Sequence, residues 1–192
     1  NGILEYEQDL NVNIFGGYSR SDRKKSLKLV TGDNSAAKIN YPFFDNLKNI
    51  NDENIEVFNE LILRNGGSLS TGLSFIDAMN TDIGSQFLDT QEKFPIIVFI
   101  NGEYYGIHYL TESIGTHYVE NHFNIPNESI EIIDLRKYNR KKDGNHYGNL
   151  IDFANMNDLT IKKNYDYISK YIDIENMIEY YAFQLYTGNS DW

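Results

Sequence analysis

The first third of the chain alternates polar and apolar residues with the period of two that is typical of β-strands. Residues 11–15 alternate in this way and meet Gly16-Gly17, so they predict a strand that enters a tight turn. Residues 24–30 have the same spacing, which places Lys25 on the apolar face of the strand. We therefore expect a hairpin with one lysine on its apolar face.

Further strands are predicted downstream of this hairpin. Residues 31–53 are rich in Gly, Asn, Asp and Lys and predict a loop. Residues 56–64 carry apolar side chains on both faces, which is typical of a central strand. Two apolar runs flank Asn101-Gly102, the pair favoured in a two-residue type I′ turn, and predict a β-hairpin. Residues 129–135 predict one more strand.

Helical periodicity marks the remaining segments. Apolar residues at steps of four predict a helix within residues 74–88, and residues 116–123 predict a short helix. The C-terminal third predicts helices around 157–171 and over 174–186, of which the second has a narrow polar face and is expected to be buried. Residues 136–144 predict an exposed basic loop. Strands followed by helices indicate an α+β fold.

Charge and composition exclude several classes of function. The 192 residues include 28 acidic and 17 basic side chains, which gives a net charge of −11. This charge disfavours binding to nucleic acid or to anionic lipid surfaces. The absence of cysteine excludes disulfides and thiol nucleophiles. No apolar run approaches the roughly 20 residues that a membrane span needs.

The histidines and serines carry no recognisable catalytic or metal signature. His117 and His122 are five residues apart, which places them on different sides of a helix, and neither they nor His108 and His146 form an HExxH motif. No GxSxG elbow is present. Solvated or strand-borne histidines are therefore the default interpretation.

Two other features are suggestive but have plain alternatives. The turn at Gly16-Gly17 before Lys24-Lys25 could bring backbone N–H groups and positive charge to a phosphate, although a glycine hairpin beside solvated lysines is the favoured interpretation of these residues taken alone. Asp191 follows the last predicted helix and could act as a base or metal ligand. A polar turn is the simpler interpretation of that segment.

The order of the elements favours the phosphate interpretation. Protein kinases use the same order of elements. It is a glycine turn, a lysine strand, a helix, a hairpin, a short connector, a helix and a long helix that is followed by an aspartate. With these elements the chain resembles the CotH (spore coat protein H) kinase family, a group of atypical secreted or spore-coat protein kinases. The matching stretches are 24–29, 63–67, 75–78, 98–112 and 188–192, and NGEYYGIHYLTE within the fourth is the most specific.

This resemblance implies ATP-dependent phosphoryl transfer to Ser or Thr of a protein substrate, with Mg²⁺ or Mn²⁺ as the metal. It also implies an α+β protein-kinase-like fold, with a β-rich N-lobe over 1–113 and a truncated helical C-lobe over 114–192. The corresponding location is the spore coat, the cell surface or the exterior. No nucleic-acid partner and no membrane span are expected.

The resemblance further implies roles for individual residues on the nucleotide side. Lys25 would pair with the phosphates, and Lys24 takes that role if the strand register is shifted by one. Gly16 and Gly17 would form the phosphate turn. Asp77 would be the helix acid that orients the lysine.

The hinge and the catalytic side follow in the same way. Residues 110–113 would be the hinge that offers backbone groups to adenine, with Glu112 either capping the turn or touching the nucleotide. Asp191 would accept or orient the proton of the substrate hydroxyl, because phosphoryl transfer depends on positioning. Asn189 is a candidate metal ligand.

Departures from the kinase pattern complete the expectation. The chain has no GxGxxG, HRD or DFG motif, and the later metal-binding Asp of the family lies beyond the Asn-x-Asp-Trp segment. We therefore expect an inactive fragment, with apolar surface along 174–185 that drives self-association. One alternative is a non-catalytic kinase-like scaffold that binds partners through an acidic, Tyr-rich face. Another is a carbohydrate- or wall-associated domain, suggested by 15 Tyr and 11 Phe.

Overall fold

A computed structural model describes residues 3–32, 38–66, 75–134 and 146–189. Within these ranges the protein has an α+β fold that contains a five-stranded antiparallel sheet, a two-stranded sheet and five α-helices. The chain divides into two compact units, 1–85 with 89–131 and 86–88 with 132–192. The predicted division near residue 113 stays a prediction.

All of the described strands lie in the first unit. They are β1 (Asn11–Phe15), β2 (Ser26–Val30), β3 (Ile39–Asn40), β4 (Val57–Phe58), β5 (Glu60–Arg64), β6 (Lys93–Ile100) and β7 (Glu103–Glu112). The main sheet has the order β1-β2-β5-β7-β6, and every neighbouring pair is antiparallel. The short strands β3 and β4 pair with each other. The predicted loop 31–53 therefore contains a strand, and the predicted strand 56–64 is divided at Asn59 between two sheets.

The two predicted hairpins are confirmed. Asn101 and Gly102 join β6 to β7 with φ values of 52° and 83°, the left-handed conformation that a type I′ turn requires. β1 pairs with β2, but β2 begins at Ser26, so the prediction that Lys24 and Lys25 belong to the strand was wrong. The reason is that side chains of β7, not a neighbouring strand, bind the backbone of Lys25.

Apolar side chains on one face of the main sheet form the core of the first unit. Leu61 and Leu63 of β5 share this face with Leu110 of β7, and Ile39 and Phe58 of the small sheet pack against it. Cross-strand pairs of this kind are the unit of sheet stabilisation. The core therefore fixes β5 and β7 side by side at the centre of the sheet.

The first unit also contains two helices, α1 (Ile76–Gly84) and α2 (Thr116–Phe123). The α2 bounds agree with the prediction, whereas α1 is shorter than the predicted segment 74–88. The predicted strand 129–135 is wrong for its described part, because residues 127–129 form a 3-10 helix and 130–134 are irregular. There Asn127 C=O accepts the Ile130 N–H in place of a strand partner.

The second unit contains α3 (His146–Met156), α4 (Lys162–Ile168) and α5 (Ile174–Tyr186). The predicted helix 157–171 starts late because the Asp158 carboxylate accepts two hydrogen bonds from Thr160 and forms a turn. α5 has the predicted bounds, but no described residue of it is buried, and Leu185 is 72% exposed. The prediction of a buried helix was wrong, since a wide apolar face is buried only where another element covers it.

Two further observations concern the described residues. None of their helices combines the length and apolar character needed to cross a bilayer. The predicted basic loop 136–144 lies outside the described residues.

Candidate functional site

A cation at the end of the central strand β5 pairs with an acid on the helix that follows. Arg64 is the last residue of β5, and its Nε lies 3.1 Å from Oδ2 of Asp77 on α1. The distance is within ion-pair range, but among the described residues Nε forms no directed hydrogen bond. The buried Nε and the Asp77 carboxylate are therefore held by charge rather than by an aligned hydrogen bond.

The predicted orienting acid Asp77 is thus brought together with Arg64 and not with Lys25. The sequence analysis did not single out Arg64, although it lies in the matching stretch 63–67. The available signal was a basic residue that follows an apolar run at the end of a strand, shortly before a helix with an acid in its first turn.

Both predicted lysines form hydrogen bonds with backbone carbonyl groups. Nζ of Lys25 donates to the carbonyl oxygens of Arg20 at 2.7 Å and Asp22 at 3.0 Å. Nζ of Lys24 donates to the carbonyl oxygen of Ile107 at 3.0 Å. The two ammonium groups therefore hold the chain between β1 and β2 against itself and against β7.

The predicted phosphate turn leads from β1 into a short 3-10 helix, Tyr18–Ser21. Gly16 has φ +110°, and a Cβ atom there would lie 2.3 Å from Oγ of Ser19. The positive φ favours glycine at this position, and any side chain would also require the Ser19 hydroxyl to shift. Gly17 precedes the 3-10 helix, and a Cβ atom at Gly17 would have no heavy atom within 4 Å.

Glu112 is a buried carboxylate at the predicted hinge. It is 3% exposed; Oε1 lies 2.8 Å from Nε2 of His122 on α2, and Oε2 accepts the N–H of Glu92 at 2.8 Å. Nε2 of Gln91 donates to its carbonyl oxygen. These contacts join the end of β7 to α2 and to the residues before β6. They are the kind of contacts expected if Glu112 caps the turn.

The neighbouring aromatic ring completes this cluster. Tyr118 stacks on His122 with ring centroids 4.1 Å apart, and its hydroxyl donates to the carbonyl oxygen of Thr90 at 2.9 Å. Burial, together with the negative charge of Glu112, raises the pKa of Tyr118 above its ordinary value. The phenol is therefore a permanent donor at neutral pH.

A cavity of about 210 Å³ lies beside the same hinge. Glu60, Glu112, Ser113, Gly115 and Tyr118 are among its lining residues. Oγ of Ser113 donates to Glu60, whose other carboxylate oxygen lies 2.6 Å from Nζ of Lys28. The cavity is below the about 300–1,000 Å³ of most small-molecule sites, so it could enclose only part of a nucleotide.

The predicted catalytic and metal residues belong to the second unit. Asp191 lies outside the described residues, and its role stays a prediction. The Asn189 side chain donates to Oε1 of Gln184 at 2.6 Å. Within the described ranges no three His, Asp or Glu side chains are grouped so that they could hold a metal ion. A magnesium ion at a nucleotide site usually takes only one or two carboxylates beside the substrate phosphates and water, so such an ion would not need a group of three.

Comparison with known protein families identifies a match for this sequence. The family described as CotH kinase protein matches residues 12–192, nearly the whole chain. The chain belongs to the CotH kinase family. No curated protein and no solved structure matches it. The CotH match therefore supports the kinase-like character of the chain, while the details of its chemistry rest on the geometry.

Proposed function

We propose that this CotH family member is an ATP-dependent protein kinase that phosphorylates Ser or Thr residues of a protein substrate. The ion pair between Arg64 and Asp77 is the observation that carries the proposal. In protein kinases a lysine on the third N-lobe strand pairs with an acid of the next helix and contacts the nucleotide phosphates. Here β5 is the third strand of the main sheet along the chain, and α1 follows it.

The nucleotide phosphates would therefore be bound by Arg64, with Asp77 orienting its guanidinium. Arginine binds phosphate oxygens through several donors at once, and the Arg64 side chain is partly exposed, at 32%. Gly16, Gly17, Lys24 and Lys25 would form the loop that lies against the phosphates.

The adenine end of the site would be the cavity beside the hinge. Backbone groups of residues 110–113 are proposed to bind the adenine edge. Both carboxylate oxygens of Glu112 are occupied by protein groups, which supports a role in holding the hinge in place rather than in contacting the nucleotide.

The catalytic step would use a residue near the end of the chain. Asp191 is proposed to accept or orient the proton of the substrate hydroxyl, and Asn189 to assist at the metal. A bound Mg²⁺ or Mn²⁺ ion would neutralise phosphate charge. The spore coat, the cell surface or the exterior is the proposed location, which the family name supports. The net charge of −11 disfavours nucleic acid as a partner.

The test is transfer of γ-phosphate from ATP by the full-length protein, with Mg²⁺ and then Mn²⁺, and with Ser/Thr-rich protein acceptors. Wild type is expected to transfer phosphate, whereas Asp191→Ala and Arg64→Met lower the rate by about a hundredfold or more. A folded wild-type protein that neither binds ATP nor transfers phosphate overturns the proposal.

One observation favours a second candidate, a kinase-like scaffold or interaction module. The large side chains Ile178, Leu185 and Tyr186 of α5 are exposed, and exposed apolar surface of this kind marks interaction sites. ATP binding separates the two candidates, because the scaffold does not require it.

A further inference from the structure

A buried polar network gathers where the chain enters β2. Ser26, Asn65 and His108 are 4%, 2% and 0% exposed, and they come from or adjoin three different strands. Burying polar groups costs free energy unless they form hydrogen bonds. Their bonds therefore indicate what the network holds in place.

Asn65 joins the end of β5 to the start of β2. Oγ of Ser26 donates to its Oδ1 at 3.0 Å, and the backbone N–H of Asn65 donates back to the same Oγ at 3.0 Å. Nδ2 of Asn65 donates to the carbonyl oxygen of Lys24 at 2.8 Å. Asn65 directly follows Arg64, so these bonds tie the backbone of the proposed phosphate cation to the chain before β2.

Two aromatic side chains of β7 bind the next residue. The hydroxyl of Tyr105 accepts the N–H of Lys25 at 2.8 Å, and Nε2 of His108 lies 3.0 Å from the Lys25 carbonyl oxygen. Because a carbonyl oxygen can only accept, the proton of this ring is on Nε2. Nδ1 of His108 has no hydrogen-bond partner among the described residues. Within the described part of the chain, this fully buried ring therefore forms one hydrogen bond, to the backbone of Lys25.

The two lysine side chains extend the network to the remainder of the connection. Nζ of Lys25 reaches back to Arg20 and Asp22, and Nζ of Lys24 reaches Ile107. Lys24 passes so close to Gly106 that a Cβ atom there would lie 2.9 Å from Cδ of Lys24. The connection 16–25 is thus held from β5, from β7 and by its own lysines.

We propose that Asn65 and His108 are positioning residues, which fix the connection 16–25 relative to Arg64. The inference rests on the proposed function, in which the nucleotide phosphates lie between these two parts. Buried hydrogen bonds are strong in the low dielectric of the interior and hold their partners in place; Ser26, Asn65 and His108 each form at least one. Phosphoryl transfer depends on such fixed placement, since an error of about 1 Å can cost a hundredfold in rate.

Amide hydrogen exchange tests the network independently of any activity. The reporters are the amides of Arg20, Asp22 and Lys25, which donate within the connection or to Tyr105. The references are the amides of Tyr41 and Ile55, which are bonded elsewhere in the same unit. His108→Leu removes the donor, His108→Gln restores one near the position of Nε2, and Tyr104→Leu is the exposed control on β7.

His108→Leu should accelerate exchange of the three reporter amides by about tenfold or more without changing the references. His108→Gln should restore most of the protection, and Tyr104→Leu should resemble wild type. Equal acceleration of reporters and references would mean that His108 merely stabilises the unit, and unchanged reporters would mean that it holds nothing. Either result overturns the inference.

Steady-state kinetics of the full-length protein then separate this inference from the proposed function. His108→Leu should raise the KM for ATP by about tenfold, and His108→Gln should return it to near the wild-type value. Loosened reporter amides with unchanged KM and kcat would overturn the positioning role. If wild type binds no ATP, the proposed function fails, while the exchange data still decide whether the network orders the connection.

Discussion

Arg64 is the residue that we propose binds the nucleotide phosphates, and Asp77 is its ion-pair partner. Its ion pair with Asp77 joins groups that are 32% and 45% exposed, so the pair contributes little to stability. We expect Arg64→Met to weaken ATP binding by about tenfold or more, and Arg64→Lys to weaken it less, because lysine keeps the charge but loses the planar donors.

Isothermal titration calorimetry with ATP measures the affinity of each Arg64 variant. Lys162→Met is the matched control, since Lys162 also pairs with an aspartate but lies on the exposed surface of α4. Equal affinity for wild type and Arg64→Met would remove Arg64 from the site.

Tyr118 links stability to alkaline pH. Its pKa is raised by burial first, and then by the negative charges of Glu112, Asp89 and Glu92. The folded state therefore keeps the phenol proton above the pH of about 10 at which the unfolded chain loses it, so this contribution is complete below pH 10 and declines above it. Tyr118→Phe should flatten that decline and cost about 1 kcal/mol at neutral pH, because the bond to Thr90 is lost.

Urea unfolding between pH 8 and 11 measures both effects of this substitution. Tyr104→Phe, at an exposed position of β7, should leave the pH profile as it is in wild type. A profile for Tyr118→Phe that coincides with wild type would show that the buried phenol is not the group responsible.

At the scale of elements, the turn between β6 and β7 depends on its glycine. Gly102 has φ +83°, and a Cβ atom there would have no heavy atom within 4 Å, so conformational strain alone opposes a side chain. Gly102→Ala should lower the free energy of unfolding by about 1–2 kcal/mol. Gly32→Ala is the control, since its backbone is outside the left-handed region and its Cβ would meet only Nδ2 of Asn11, at 3.8 Å. Equal losses of unfolding free energy for Gly102→Ala and Gly32→Ala, measured with denaturant, would contradict conformational strain at Gly102 as the cause.

An ion pair with one buried and one exposed partner joins α1 to β6 of the main sheet. The Lys93 side chain is 6% exposed, and its Nζ lies 2.7 Å from Oδ1 of Asp82, which is 74% exposed. Asp82→Ala leaves a buried ammonium without this partner and should destabilise the unit by about 1–2 kcal/mol. Asp166→Ala, which breaks the exposed pair with Lys162, should cost less than about 0.5 kcal/mol. Chemical denaturation measures the loss of stability in both variants. Equal losses for Asp82→Ala and Asp166→Ala would argue against burial of Lys93 as the cause.

The sequence predicted the elements whose signals are local. The Asn101-Gly102 turn and the bounds of α2 and α5 depend on residues within a few positions of each other, and all were confirmed. The division of 56–64 at Asn59 depends on pairing with β3, a partner distant in the chain. Such pairing is invisible to periodicity.

The candidate site shows the same limit. Asp77 was found from its place in a helix, but its partner Arg64 is decided by how α1 packs on the sheet. The backbone of Lys25 is bound by β7 residues 80 and 83 positions away, so strand spacing alone placed this lysine in a strand it does not enter.

At the scale of the whole molecule, the CotH match covers both compact units, which share one strongly acidic chain. A net charge of −11 disfavours the compact state through self-repulsion. Exposed ion pairs such as Lys48–Asp52 offset little of it. Raising NaCl from about 10 to about 150 mM shortens the screening length from about 30 to about 8 Å, so we expect the free energy of unfolding at pH 7 to rise by about 0.5–1 kcal/mol.

Urea unfolding at several salt concentrations measures this dependence, and pH supplies its control. Near the pI of about 4.7 the net charge is close to zero, so added NaCl should no longer stabilise the protein. A loss of stability with salt at pH 7 would mean that specific ion pairs outweigh the repulsion.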